Sequence, residues 1–313
     1  MTKSATSAAL RADALLLLTA AIWGLAFVFQ RTGMEHIGPL TFNGIRFLLG
    51  AAALAPLTAR TRRHFRPAPG QPAPSAATYI KGGLLAGLVL FGGASLQQAG
   101  LVYTTAGKAG FITGLYVVIT PMLGLFLRQR PPAATWLGAG LAAAGLYLLS
   151  VTGDFSIAFG DLLVLVGAFF WAGHMLVIGQ LSPRMDPVSL AACQFVCCGV
   201  VSLVAGVATE PVTWAGVLGA GQAILYCGLM SVGVAYTLQV VAQREANPAH
   251  AAIILSLESV FAALAGWVLL GEVMDARALV GCALMLGGML VSELAPALRR
   301  APVPPIVPSS REA

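Results

Sequence analysis

Three features of this sequence predict an all-α integral membrane protein: few charges, ten apolar runs of spanning length, and ordered residue matches between the two halves of the chain. Together they predict ten transmembrane helices arranged as two inverted five-helix repeats. Hydrophobic residues make up 58% of the 313 residues and charged residues 10%, where soluble domains carry about a quarter charged. One or two soluble domains of this total length have too little interior to hide so much apolar surface. Lipid is therefore the expected surrounding medium.

A spanning helix needs roughly 20 mostly apolar residues. The candidate runs are residues 13–31, 39–58, 79–102, 107–127, 134–151, 160–180, 188–208, 214–240, 248–270 and 276–294. They are apolar on nearly every face, whereas barrel strands alternate over about ten residues, so helices are expected. Lys3 and Arg11 precede an apolar run that continues to Phe29 with no small-residue cleavage site. That run reads as a retained first helix, not a cleaved signal. Cys193, Cys197, Cys198, Cys227 and Cys282 all fall inside the runs and form no C-x-x-C pair; they read as small apolar packing residues.

The formal net charge of +6 would raise nucleic acid as a partner for a soluble protein. Here the basic residues fall mostly between spans, so they report topology and no nucleic acid is expected. With a cytoplasmic N-terminus, 14 of the 18 Lys and Arg residues lie inside, leaving Arg31, Arg46, Lys108 and Arg277 outside. The expectation is a multi-pass protein of the cell inner membrane with both termini cytoplasmic. The strongest marker is the cluster Arg60, Arg62, Arg63 and Arg66, followed by a Pro-rich polar linker over 67–74.

The repeat is read from residues in step. Trp23 and Trp171, Pro39 and Pro187, and Phe47 and Phe195 each lie 148 apart. Gly87 and Gly92 match Gly228 and Gly233 at 141, with Gln98 and Gln239 in the same register, and Gly138 and Gly145 match Gly281 and Gly288 at 143. The expected units are residues 12–151 and 158–294, with a cytoplasmic tail over 295–313. Two copies of a five-helix unit must insert in opposite orientations, an arrangement common in secondary transporters.

Several short motifs carry a resemblance. Ala21-Ile-Trp-Gly24, Ile37-Gly-Pro-Leu40 and Ile45-Arg-Phe47 resemble the start of an EamA-type repeat. Gly160-Asp161, Phe170-Trp171 and Asp186-Pro187 resemble the start of a second, and Leu257-Glu258-Ser259-Val-Phe261 with Leu269-Leu-Gly-Glu272 its later part. From about Ala12 to Leu294 the chain resembles the EamA group of the drug/metabolite transporter superfamily. It departs from the usual pattern at Ser259, where Pro is common, and at Arg128-Gln129-Arg130, where Gly-Glu-Arg is common. The resemblance implies ten helices, inverted repeats, and export or exchange of small metabolites by alternating access.

Intramembrane polar residues are the candidate substrate contacts. Glu258 falls about ten residues from either end of the ninth run, where a carboxylate costs several kcal/mol unless paired, hydrated or protonated. It reads as a contact for a substrate ammonium or a carrier of a coupling proton, with a structural hydrogen bond as the plainer reading. His250, eight residues earlier, is a weaker gate candidate. Arg46 and Asn43 lie several residues into the second run, and the repeat counterpart of Arg46 is Gln194. Lys108 opens the fourth run, where it either meets an anion at a helix N-terminus or snorkels to headgroups. Trp23 and Trp171 fit a cavity wall or a cation–π contact, or plain packing. Tyr116, His174, Gln98, Gln239 and Tyr236, with Thr113, are further polar candidates whose plainer role is interhelical hydrogen bonding.

A carboxylate, a cation and aromatics together suit a zwitterion such as an amino acid. No H-E-x-x-H or G-x-S-x-G motif and no P-loop occurs in the sequence, so neither an enzyme nor a cofactor or metal is expected. The expected partners are a small-molecule substrate, the lipid bilayer and protons as the coupling ion. The alternative is a membrane-embedded receptor or scaffold without transport activity.

Overall fold

The computed structural model describes residues 3–65, 73–128, 131–151, 157–242 and 254–299. Eight helices are long and apolar enough to cross a membrane, from Leu10–Gly33 to Gly221–Gln239. Two shorter apolar helices, Ile254–Leu270 and Ala276–Ser292, follow. Among the described residues there is no strand, only one isolated bridge between Val151 and Ile157.

The first three helices are α1 (Lys3–Gly33), α2 (Pro39–His64) and α3 (Ala76–Leu101). Pro39 starts α2, where a missing N–H and a fixed φ are tolerated. The Ser75 hydroxyl caps α3 by accepting from the Thr78 N–H. The fourth apolar run is not one helix. It divides into α4 (Ala106–Gly114), α5 (Tyr116–Leu123) and a 3-10 turn (Gly124–Leu127). Pro121 lies within α5 and cannot donate to the helical ladder. Then come α6 (Ala133–Ser150), α7 (Phe159–Leu181) and α8 (Pro187–Thr209).

The eighth run is also segmented, into α9 (Trp214–Gly219), α10 (Gly221–Leu225), a π-helix (Tyr226–Ala235) and α11 (Tyr236–Ala242). The chain ends in α12 (Glu258–Leu270) and α13 (Ala276–Arg299). Glu258 opens α12, just after a turn at Leu257. His250, Arg66, Arg130, Arg244, Arg300 and Arg311 lie outside the described residues, as do residues 67–72 of the linker over 67–74.

Helix pairs α2–α8, α3–α7 and α6–α13 make the broad contacts of the bundle. The α6–α13 crossing shows why glycine is needed. A methyl group on Gly138 would lie 2.5 Å from the Gly288 carbonyl oxygen, and one on Gly145 would lie 2.5 Å from that of Gly281. Small residues let the two backbones meet, which is how membrane helices gain packing without a hydrophobic drive.

Polar ties fasten one end of the bundle. Glu210, just past α8, takes the Leu40 and Thr41 N–H groups at 2.8 Å and the Thr41 hydroxyl at 2.7 Å. Glu272, just past α12, takes the Ala106 and Gly107 N–H groups at 2.8 and 3.1 Å and pairs with Arg31. Asp161 in α7 accepts from the Thr104 hydroxyl and faces the Lys108 ammonium at 3.6 Å. Two of these carboxylates thus sit on the unpaired N–H groups of a helix start, where the helix dipole favours negative charge. At the other end the Asp186 carboxylate caps α8 through the Ser189 N–H and accepts from Thr61 at 2.8 Å.

Of the bonds to Glu272, the Arg31 pair counts for less, because the Arg31 side chain is 37% exposed and solvent screens it. The two backbone N–H groups are the larger part. Glu272→Gln keeps the shape but removes the charge, and should lower stability by about 1–3 kcal/mol. A fall in the thermal unfolding midpoint of the detergent-purified protein is the expected result; an unchanged midpoint means the tie contributes nothing.

Candidate functional site

A cavity of about 180 Å³ lies inside the bundle. It is smaller than the roughly 300–1,000 Å³ of drug-sized pockets. Walls come from α1, α2, α3, the α4–α5 junction, α7, α8, the π-helix, α11 and α12. Both halves of the chain therefore contribute.

A basic and an acidic side chain line it. Arg46 is 4% exposed and Glu258 is 5% exposed. Neither takes part in an ion pair among the described residues. The Arg46 Nε donates to the Asn43 Oδ1 at 2.9 Å, and the guanidinium lies over the Phe47 ring, 4.8 Å from its centroid. Asn43 holds Arg46 in this way but does not itself line the cavity. A buried charge with no opposite charge beside it is costly. Glu258 is placed by close packing: a methyl group on Gly24 of α1 would lie 2.7 Å from the Glu258 carbonyl oxygen.

Aromatic rings form much of the wall. Trp23, Trp171, Tyr116 and Tyr236 all line the cavity, as does Phe47, which packs on Phe195 with centroids 5.7 Å apart. The Trp23 indole donates to the Ser231 carbonyl oxygen at 3.0 Å. Ser231 belongs to the π-helix, a form that recurs at functional sites. That segment is fastened to α1 again by the Tyr226 hydroxyl, which donates to the Ile22 carbonyl at 3.0 Å.

Amides and an imidazole complete the lining. His174 Nε2 lies 2.7 Å from Gln194 Oε1, and both residues reach the cavity, as does Gln239. The Gln194 Nε2 has no hydrogen-bond partner among the described residues. Two residues passed over in the sequence are also present, Gln30 and Gln97. The Trp171 indole donates to Gln97 Oε1 at 2.9 Å, and Gln97 Nε2 donates to Gln30 Oε1 at 3.2 Å. Helical period offered a signal for them: Trp23, Phe27 and Gln30 share one face of α1, and Leu90 and Gln97 one face of α3.

Two other sequence candidates stand elsewhere. Gln98 turns its amide to the Gln30 carbonyl oxygen at 3.1 Å and does not line the cavity; its neighbour Gln97 does. Lys108 is held by Asp161, away from the lining. Its ammonium thus answers a carboxylate of the protein itself. No group of His, Cys, Asp and Glu suited to a metal ion occurs among the described residues.

Comparison with known proteins adds a family. The model of the EamA-like transporter family matches residues 10–151 and 158–294. An uncharacterized transporter of Archaeoglobus fulgidus is 30% identical over 294 residues, covering 91% of this chain and 86% of its own length. The uncharacterized transporter YwfM of Bacillus subtilis is 26% identical, covering 90% of this chain and 93% of its own. The uncharacterized inner membrane transporter YedA of Escherichia coli K12 is 26% identical over 81% of each chain. A crystal structure at 19% identity superposes with a TM-score of 0.62, covering 95% of this chain and 99% of that chain, and so shares the fold.

Proposed function

We infer the function from one premise: the chain belongs to the EamA-like transporter family and is a multi-pass membrane transporter. Our proposal is that it exports or exchanges a small zwitterionic metabolite, such as an amino acid, by alternating access through the cavity. One observation carries this reading. Arg46 and Glu258 line the same aromatic-walled cavity, and neither has an ionic partner among the described residues. A substrate carboxylate would answer Arg46 and a substrate ammonium Glu258, with the tryptophans offering cation–π contact. The cavity volume suits a molecule of that size. Glu258 would also carry the coupling proton.

The motion we propose is that of ten spans in two inverted repeats. Three observations support it. Phe47 and Phe195, 148 apart in sequence, touch each other, as mates on a two-fold axis must. The contact of Gly138 with Gly288 becomes that of Gly281 with Gly145 under the 143-residue shift, and both contacts exist. Arg128 and Gly271, also 143 apart, each end the fourth helix of a half with a left-handed residue, at φ 59° and 65°. A cavity between such repeats near the midplane is where substrate sites lie in folds of this kind.

The proposed orientation places both termini in the cytoplasm of an inner membrane, on the excess of Lys and Arg in the loops of that side. The end held by Glu210, Glu272 and Asp161 is then the outer one. Reporter fusions after Arg66 and after Pro296 should both read cytoplasmic; a periplasmic signal at either position contradicts the topology.

Counterflow in proteoliposomes with a panel of amino acids tests the function. At least one amino acid should exchange, and Glu258→Gln should purify with near-normal thermal stability yet lose exchange or its pH dependence. Wild-type exchange with an unchanged pH profile in the Gln variant would defeat the role of Glu258. A receptor or scaffold would bind a ligand and show no flux.

A further inference from the structure

We propose that Gln30 determines specificity: its side-chain NH2 reads a hydrogen-bond acceptor on the substrate. The proposal rests on the reading of the cavity as the substrate site.

An indole N–H can only donate. Trp171 Nε1 lies 2.9 Å from the Gln97 amide, so the Gln97 atom that faces it is the oxygen. The Thr113 hydroxyl reaches the same oxygen at 3.4 Å. The Gln97 nitrogen must then face Gln30, and the Gln30 atom receiving it at 3.2 Å is again an oxygen. The donor-only indole thus orients two amides in succession. Gln98 donates to the Gln30 backbone carbonyl at 3.1 Å and holds this turn of α1 in place.

What remains of the Gln30 side chain is its NH2. It has no partner among the described residues, and it is not among the polar atoms sealed inside the protein. Gln30 lines the cavity and is 3% exposed overall. The NH2 therefore meets whatever fills the cavity. A buried donor left unmatched costs about 1–3 kcal/mol, and a site built to hydrogen-bond a substrate group rejects an analogue lacking that group. The substrate class is a zwitterion that carries an acceptor oxygen, such as an ether, carbonyl or hydroxyl, apart from its charged groups. Bonds traced through four helices, α1, α3, α4 and α7, turn this NH2 toward the cavity.

Counterflow with O-methylserine and norvaline tests this, because the two differ by an oxygen in place of a CH2. Wild-type protein should exchange O-methylserine faster by about twofold to tenfold, the worth of one hydrogen bond. Gln30→Met should bring the ratio to one or below while norvaline still exchanges. Trp171→Phe, which frees the Gln97 amide to turn over, should also lower the ratio. A wild-type ratio of one or less overturns the proposal, and that arm needs no variant. So does a ratio that survives in Gln30→Met, or, should that variant not purify as a monodisperse protein, one that survives in Trp171→Phe. Absence of wild-type exchange for both probes and for all standard amino acids overturns the zwitterion-transport reading itself, and this proposal with it.

Discussion

Hydrocarbon supplies no hydrogen bonds, so every polar group inside a membrane bundle must find its partner within the protein or in a cavity. Much of this structure follows from that constraint. Indoles donate to a carbonyl and an amide, at Ser231 and Gln97. The starts of α2 and α4 are closed by the carboxylates of Glu210 and Glu272. Against that background, Arg46 and Glu258 stand out as buried ionisable groups with no ionic partner among the described residues. Each is buried, each carries or can carry charge, and the pair of them face one small space. Groups of this kind persist in membrane proteins where substrates or ions meet them.

The ties between the two halves share a pattern. Asp161, Glu210 and Glu272 come from the second half, and the groups they hold come from the first. All three sit at the same end of the bundle. In the alternating access proposed, opening that end would break several charge-assisted hydrogen bonds. Such bonds are among the stronger ones in proteins. The opposite end is held by Asp186 with Thr61 and the Tyr79 hydroxyl. A substrate would shift that proposed equilibrium by its difference in affinity for the two states.

Much of the fold was legible because lipid imposes length and composition on a spanning segment. Eight of the ten apolar runs correspond to long apolar helices, and the last two to the shorter ones. The breaks were less visible. Pro121 hinted at the division of the fourth run, but nothing in the residues from Tyr226 to Ala235 announced a π-helix. Depth singled out Arg46 and Glu258, which do line the cavity, whereas Lys108 is claimed by Asp161 from another helix. Gln98 is in register with Gln239 between the halves and Gln97 was passed over, yet one residue along a helix turns the side chain by about a quarter circle or more. The inter-half carboxylates could not be read at all, since Glu210 and Glu272 meet partners more than 160 residues away.

The central claim is that Arg46 and Glu258 recognise the two ends of one zwitterion. Calorimetric binding to detergent-purified protein tests it most directly, with leucine compared with 4-methylpentanoate and isopentylamine, which keep the side chain and only one charge each. Leucine should bind measurably more tightly than either, and Arg46→Met should remove its advantage over the amine but not its advantage over the acid. Equal binding of all three, or an Arg46→Met protein that still prefers leucine to the amine, would contradict the account.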